Sequence, residues 1–80
     1  MFDTLHKLRR LDELIRTKGT GAPKQLARRL GISERSLFEY ISLMKELGAP
    51  IRYSRSTQSY WYEGDGRFFV GFVREEELIL

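Results

Sequence analysis

The sequence predicts a mainly α-helical domain with a small antiparallel β-sheet: three helices, then one hairpin. Three observations lead there. Apolar residues recur at helical spacing from Leu5 to Ile15. Two more amphipathic stretches lie between Pro23 and Leu47, broken at Gly31-Ile32-Ser33. Ile51-Arg52-Tyr53-Ser54 and Ser59-Tyr60-Trp61-Tyr62 then alternate with period two around the polar Arg55-Ser56-Thr57-Gln58.

Each element has its own local signals. Asp3 and Thr4 are good N-cap residues, and Leu5, Leu8, Leu11, Leu14 and Ile15 follow on one face. This spacing predicts a first helix over about 4–17, with Lys7, Arg9, Arg10, Arg16 and Lys18 outward. Gly19 suits the left-handed residue that ends many helices, and Gly21 loosens the connection. Pro23 fits the first position of a second helix, 23–30, where a missing N–H costs nothing. Leu26, Ala27 and Leu30 form its inward stripe.

Gly31 makes the sharp turn, Ile32 fills the angle between the helices, and Ser33 caps a third helix over about 33–47. Its core candidates are Leu37, Phe38, Ile41, Leu43, Met44 and Leu47. Gly48 ends it, and Ala49-Pro50 leads into a hairpin at about 51–62. A lone hairpin is marginal in water, so this one must lie on the helices. Glu63-Gly64-Asp65-Gly66 reads as a second turn, and 67–73 as a further strand.

Eighty residues make one domain, 1–80, with a modest core. Cysteine is absent, which excludes a disulfide framework, a thiol nucleophile and a zinc finger. Five Phe, four Tyr and one Trp supply cohesion instead. No apolar run approaches the roughly 18 residues of a membrane span, and no signal-peptide core stands at the start. The expectation is a soluble, cytoplasmic protein. The net charge is +3, unevenly spread. Residues 1–36 carry nine basic side chains against four acidic, while Glu63, Asp65 and Glu75 to Glu77 face only Arg67 and Arg74. A basic body suits a polyanion, although such charges can also merely solvate helix surfaces.

Gln25-Leu26-Ala27-Arg28-Arg29-Leu30-Gly31-Ile32-Ser33-Glu34-Arg35-Ser36-Leu37-Phe38 is followed by Leu47-Gly48-Ala49-Pro50-Ile51-Arg52-Tyr53. Together they resemble a bacterial winged helix-turn-helix domain, of the type found in DeoR-like regulators and at the N-terminus of biotin-operon repressors. The resemblance covers about residues 4–62. It implies a sequence-specific reader of double-stranded DNA, a small transcriptional regulator whose third helix enters the major groove. Ser33, Arg35 and Ser36 match the start of that recognition helix, with Tyr40 one turn on. Arg52, Arg55, Ser56, Thr57 and Gln58 match the wing, which holds flanking backbone. Lys24 and Lys45 complete the candidate contacts, and Arg28 and Arg29 can steer the duplex.

Glu39 departs from the pattern, because the family often carries a basic residue there. It can still accept a hydrogen bond from cytosine N4. With Glu34 and Glu46, however, it leaves the third helix only Arg35 and Lys45 as cations. That balance motivates an alternative reading, a winged-helix adaptor whose third helix faces a protein. One such helix reads few base pairs, so specificity calls for a dimer or larger partner. Phe68, Phe69, Val70, Phe72 and Val73, with Leu78-Ile79-Leu80 beyond, either complete the core or form that homodimer or partner seam.

Several residues invite sharper readings that the pattern does not favour. Arg35 can simply pair with Glu39, four residues on, and Tyr40 near the helix midpoint is as often partly buried packing as a contact. Tyr60 and Tyr62 share a face opposite Trp61, which favours packing over base stacking. His6 has no second ligand at helical spacing, so no metal is expected. Glu75-Glu76-Glu77 reads as a solvated tail, and no helix follows Gly64-Asp65-Gly66 to make a phosphate cradle. No catalytic constellation, cofactor or small-molecule effector is expected.

Overall fold

The computed structural model describes residues 2–72, 74 and 75. Three helices, α1 (Phe2–Arg16), α2 (Pro23–Leu30) and α3 (Glu34–Glu46), precede strands β1 (Ile51–Ser54) and β2 (Ser59–Tyr62). The strands pair antiparallel, with Ile51 opposite Tyr62 and Ser54 opposite Ser59. A mainly helical chain with a small antiparallel sheet is therefore what forms. The α2 and hairpin boundaries fall where the sequence placed them, and α1 starts two residues earlier.

The core gathers one stripe from every element. Leu8, Leu11, Leu14 and Ile15 of α1 meet Leu26, Ala27 and Leu30 of α2 and Leu37, Ile41 and Met44 of α3, closed by Ile51 and Tyr60. Leu11, Ile15, Leu26, Leu37 and Met44 are fully enclosed, each worth about 1.5–3 kcal/mol of apolar transfer. Ile32 packs against this cluster from the turn, as its position between the helices requires.

Four apolar expectations fail for one geometric reason. Leu5, Phe38, Leu43 and Leu47 stay 40%, 48%, 40% and 64% exposed. A helix turns about 100° per residue, so Leu37, Ile41 and Met44 face inward while Phe38 points to one side and Leu43 and Leu47 to the other. The described chain offers no further layer to cover either side. The exit from α1 also differs: Lys18, at φ 57°, takes the left-handed conformation expected of Gly19.

No strand forms over residues 67–72, and Val73 and Leu78-Ile79-Leu80 lie outside the described residues. Side-chain chemistry, in place of a sheet ladder, attaches this segment. Asp12, buried on α1, accepts from the Phe68 N–H at 2.8 Å and from the Tyr62 hydroxyl at 2.8 Å, both at Oδ1. Its Oδ2 receives Arg16 Nε at 2.9 Å. Phe68 is thereby held half-buried against the core, whereas Phe69, Val70 and Phe72 remain exposed.

Thr20 plays the same part on the free edge of β2. Its Oγ1 accepts from the Tyr60 N–H at 2.8 Å and donates to the Gly21 carbonyl at 2.9 Å. Its own N–H donates to Ser59 Oγ at 3.2 Å. The loop between α1 and α2 thus caps a strand edge that would otherwise be buried without partners.

Two predictions follow from the Asp12 cluster. Asp12→Ala removes three acceptor bonds and leaves the Tyr62 and Phe68 donors stranded, a cost of about 2–4 kcal/mol. Asp12→Asn keeps an Oδ1 for both and loses only the Arg16 bond, so urea unfolding should show it costing less than half as much. Burial, then the bond to the Asp12 carboxylate, push the Tyr62 hydroxyl far above the ordinary tyrosine range. A pKa raised in the folded state stabilises below the unfolded value near 10 and is lost as pH rises through it. Stability should therefore fall above about pH 10, and Tyr62→Phe should flatten that alkaline limb.

Candidate nucleic-acid interface

The turn between α2 and α3 is built from three local devices. Gly31 adopts φ 69°, and its N–H and that of Ile32 close back on the Arg28 and Ala27 carbonyls at 3.1 and 3.0 Å. Ser33 is extended and caps α3, its Oγ accepting from the Ser36 N–H at 3.0 Å. Ser33 also donates its hydroxyl proton to Ser36 Oγ at 3.1 Å. Ser33 is thus a structural cap, and Ser36 is the hydroxyl with a proton free for a ligand.

The expected contacts on α3 do not share one face. At about 100° per residue, Arg35 and Glu39 lie on the outer ridge, Ser36 and Tyr40 on one flank, and Lys45 on the other. Tyr40 is half-buried and packs against the core, with part of its surface left accessible. Arg35 Nε sits 3.4 Å from Glu39 Oε1, both side chains well exposed. The ridge continues into Ser42, passed over in the sequence: Arg35, Phe38, Glu39, Ser42, Leu43 and Glu46 line one shallow groove. Their common signal was i, i+3, i+4 spacing on the side opposite Leu37 and Ile41.

In the hairpin, Arg55, Ser56, Thr57 and Gln58 are all exposed. The turn is tied by the Ser54–Ser56 hydroxyl bond at 3.1 Å and by the Thr57 N–H to Ser54 Oγ at 3.4 Å. Gln58 takes φ 50° to turn the chain. Tyr53 and Tyr60, opposite each other across the strands, pack with ring centres 4.8 Å apart at 57°. Tyr60 is buried, and Trp61 and Tyr62 are half-buried, so the aromatic trio presents no open stacking platform. Lys18, read in the sequence only as an outward cation of the first helix, lines a depression with Thr57 and Trp61 and adds a cation there.

Ion pairing divides the basic residues into two sets. Arg35 is held by Glu39, and Arg52 by Glu63 at 2.8 Å. Such exposed pairs are worth less than about 1 kcal/mol and open readily. Lys24, Arg28, Lys45 and Arg55 have no acid in pairing range among the described residues. Lys24 stands in the first turn of α2. Four residues, Leu47 to Pro50, join α3 to β1, so those elements stay within about 14 Å at the junction.

No group of three or more His, Asp or Glu among the described residues is placed to hold a metal. No described helix is long and apolar enough to cross a membrane. Comparison with protein families, curated proteins and solved structures finds no match.

The cap yields a prediction of its own. Ser33→Ala should cost about 1 kcal/mol of thermal stability, and Ser33→Asp, which restores an acceptor for the Ser36 N–H, should recover most of it.

Proposed function

We propose that this chain is a winged helix-turn-helix module that binds double-stranded DNA, with α3 toward the major groove and the hairpin turn on the flanking backbone. The observation that carries the proposal is the junction of α2 and α3. A left-handed Gly31 and a capping Ser33 fix the entry to a helix whose outer ridge faces solvent, and a polar hairpin follows four residues after it. The unpaired Lys24, Arg28, Lys45 and Arg55 supply phosphate neutralisation. Arg35 and Arg52 exchange a weak carboxylate partner for a phosphate or a base edge. Ser36, with its free proton, is a further phosphate donor.

Glu39 modulates this surface. Its carboxylate holds Arg35 and lowers the potential of the ridge, and on release it can accept from a cytosine amino group. Affinity for random sequence is therefore modest, with discrimination resting on few positions. The exposed Phe38 and Leu43 on the same helix favour a second reading, in which α3 docks on a protein.

Fluorescence anisotropy of a labelled random duplex tests the first reading. Four neutralised phosphates correspond to a salt slope of roughly −3 to −4, or about a hundredfold loss of affinity between 50 and 200 mM salt. Arg55→Ala should reduce that slope by about one. Glu39→Gln, which frees Arg35 and deletes a negative charge, should raise affinity. No binding at low salt would overturn the DNA reading and leave the protein-docking one.

A further inference from the structure

The groove on the outer side of α3 places side chains of complementary chemistry at positions that a two-fold axis would bring together. Its six lining residues fall into three pairs placed symmetrically about the midpoint between Tyr40 and Ile41: Arg35 with Glu46, Phe38 with Leu43, and Glu39 with Ser42. Arg35, Glu39, Ser42 and Glu46 follow the ridge, within about 30° of its centre, and Phe38 and Leu43 flank it on opposite sides. Arg35, whose exposed pair with Glu39 opens readily, stands at one end of the ridge, and Glu46 stands at the other. A parallel neighbour would set like charges together, and an antiparallel one sets opposite charges together.

We infer that the outer ridge of α3 pairs with the same ridge of a second copy of this chain, antiparallel and about a two-fold axis. In that arrangement Arg35 lies level with Glu46 of the second copy at both ends. The Glu39 carboxylate meets the Ser42 hydroxyl, which can donate to it. On one flank the two Phe38 side chains approach across the axis, and on the other the two Leu43 side chains do. Each such pair is offset by five residues of rise, about 7.5 Å along the helices, within reach of side chains of that size. A two-fold interface must be self-complementary, and this ridge is so in both charge and apolarity.

The contact is small. The ridge is about 18 Å long and buries less than the roughly 1,200 Å² at the lower end of stable interfaces. The pair is accordingly weak and concentration-dependent. It covers Arg35 and Glu39, so pairing and duplex binding compete for one face. The pairing itself does not rest on the DNA reading; only the competition does.

Sedimentation equilibrium of the 80-residue chain over a concentration series provides the test. The wild type should move from the mass of one chain toward that of two. Arg35→Glu and Glu46→Arg should each weaken association by about tenfold or more, because each brings like charges together. The double variant Arg35→Glu/Glu46→Arg should restore it, with far-UV circular dichroism confirming that each variant keeps its helices. A monomer throughout, or a double variant no better than the singles, would overturn the pairing. Duplex added to the wild type should convert pairs into complexes with one chain per site. A paired species that carries duplex while keeping the two-chain contact would overturn the competition. Absence of duplex binding would count against the proposed function alone, since the mass measurement contains no DNA.

Discussion

The Asp12 carboxylate gathers donors from three separate parts of the chain: Arg16 on its own helix, Tyr62 at the end of β2, and the Phe68 backbone beyond it. A carboxylate taken out of water costs several kcal/mol unless its oxygens are filled. Here both are, and no buried side-chain polar atom among the described residues lacks a partner. The sheet has only two strands, so α1 must hold it from below. The apolar contacts of Tyr60 and Ile51 provide adhesion. Asp12 at one end of β2 and Thr20 at the other set where the hairpin sits. Its position relative to α3, and with it any joint grip on a ligand, depends on these two polar anchors.

Against that fixed frame, the outer side of α3 is electrostatically ambivalent. Its cap and turn are closed by local hydrogen bonds, its ridge carries one arginine against two glutamates, and two apolar side chains flank it. A surface of this kind binds phosphate less strongly than a purely basic helix. The proposed pairing would draw on the same mixture of charge and apolarity for self-recognition. The proposed pairing and the proposed duplex binding would share this face, each weak enough to be displaced by the other. Unpaired cations at Lys24 and Arg55, away from the ridge, remain available in either state.

Much of the architecture was legible because its signals are local. Pro23, Gly31, Ser33 and Gly48 act through backbone geometry within a few residues, and the helix and strand boundaries around them fell close to where these residues placed them. Leu26, Ala27 and Leu30 read correctly as core because a short helix between two others has only one side to hide. Phe38, Leu43 and Leu47 read incorrectly. Whether an apolar residue on a helix flank is covered depends on a layer that no local pattern announces. Tyr40, open in the sequence to either packing or contact, packs half-buried against the core.

The sequence by itself determined the number and order of the helices, the sharp turn before α3, the hairpin with its polar turn and the surplus of positive charge. Each of these follows from propensity, capping or period over a short stretch. Only the tertiary structure decided which charges are spent and which are free. Arg52 meets Glu63 across the hairpin, and Asp12, a surface acid by composition, meets a tyrosine fifty residues away. It also decided that residues 67–72 hang on a side-chain carboxylate and not on a strand. Such pairings join residues distant along the chain, and their energies depend on burial and distance, which exist only once the chain has closed on itself.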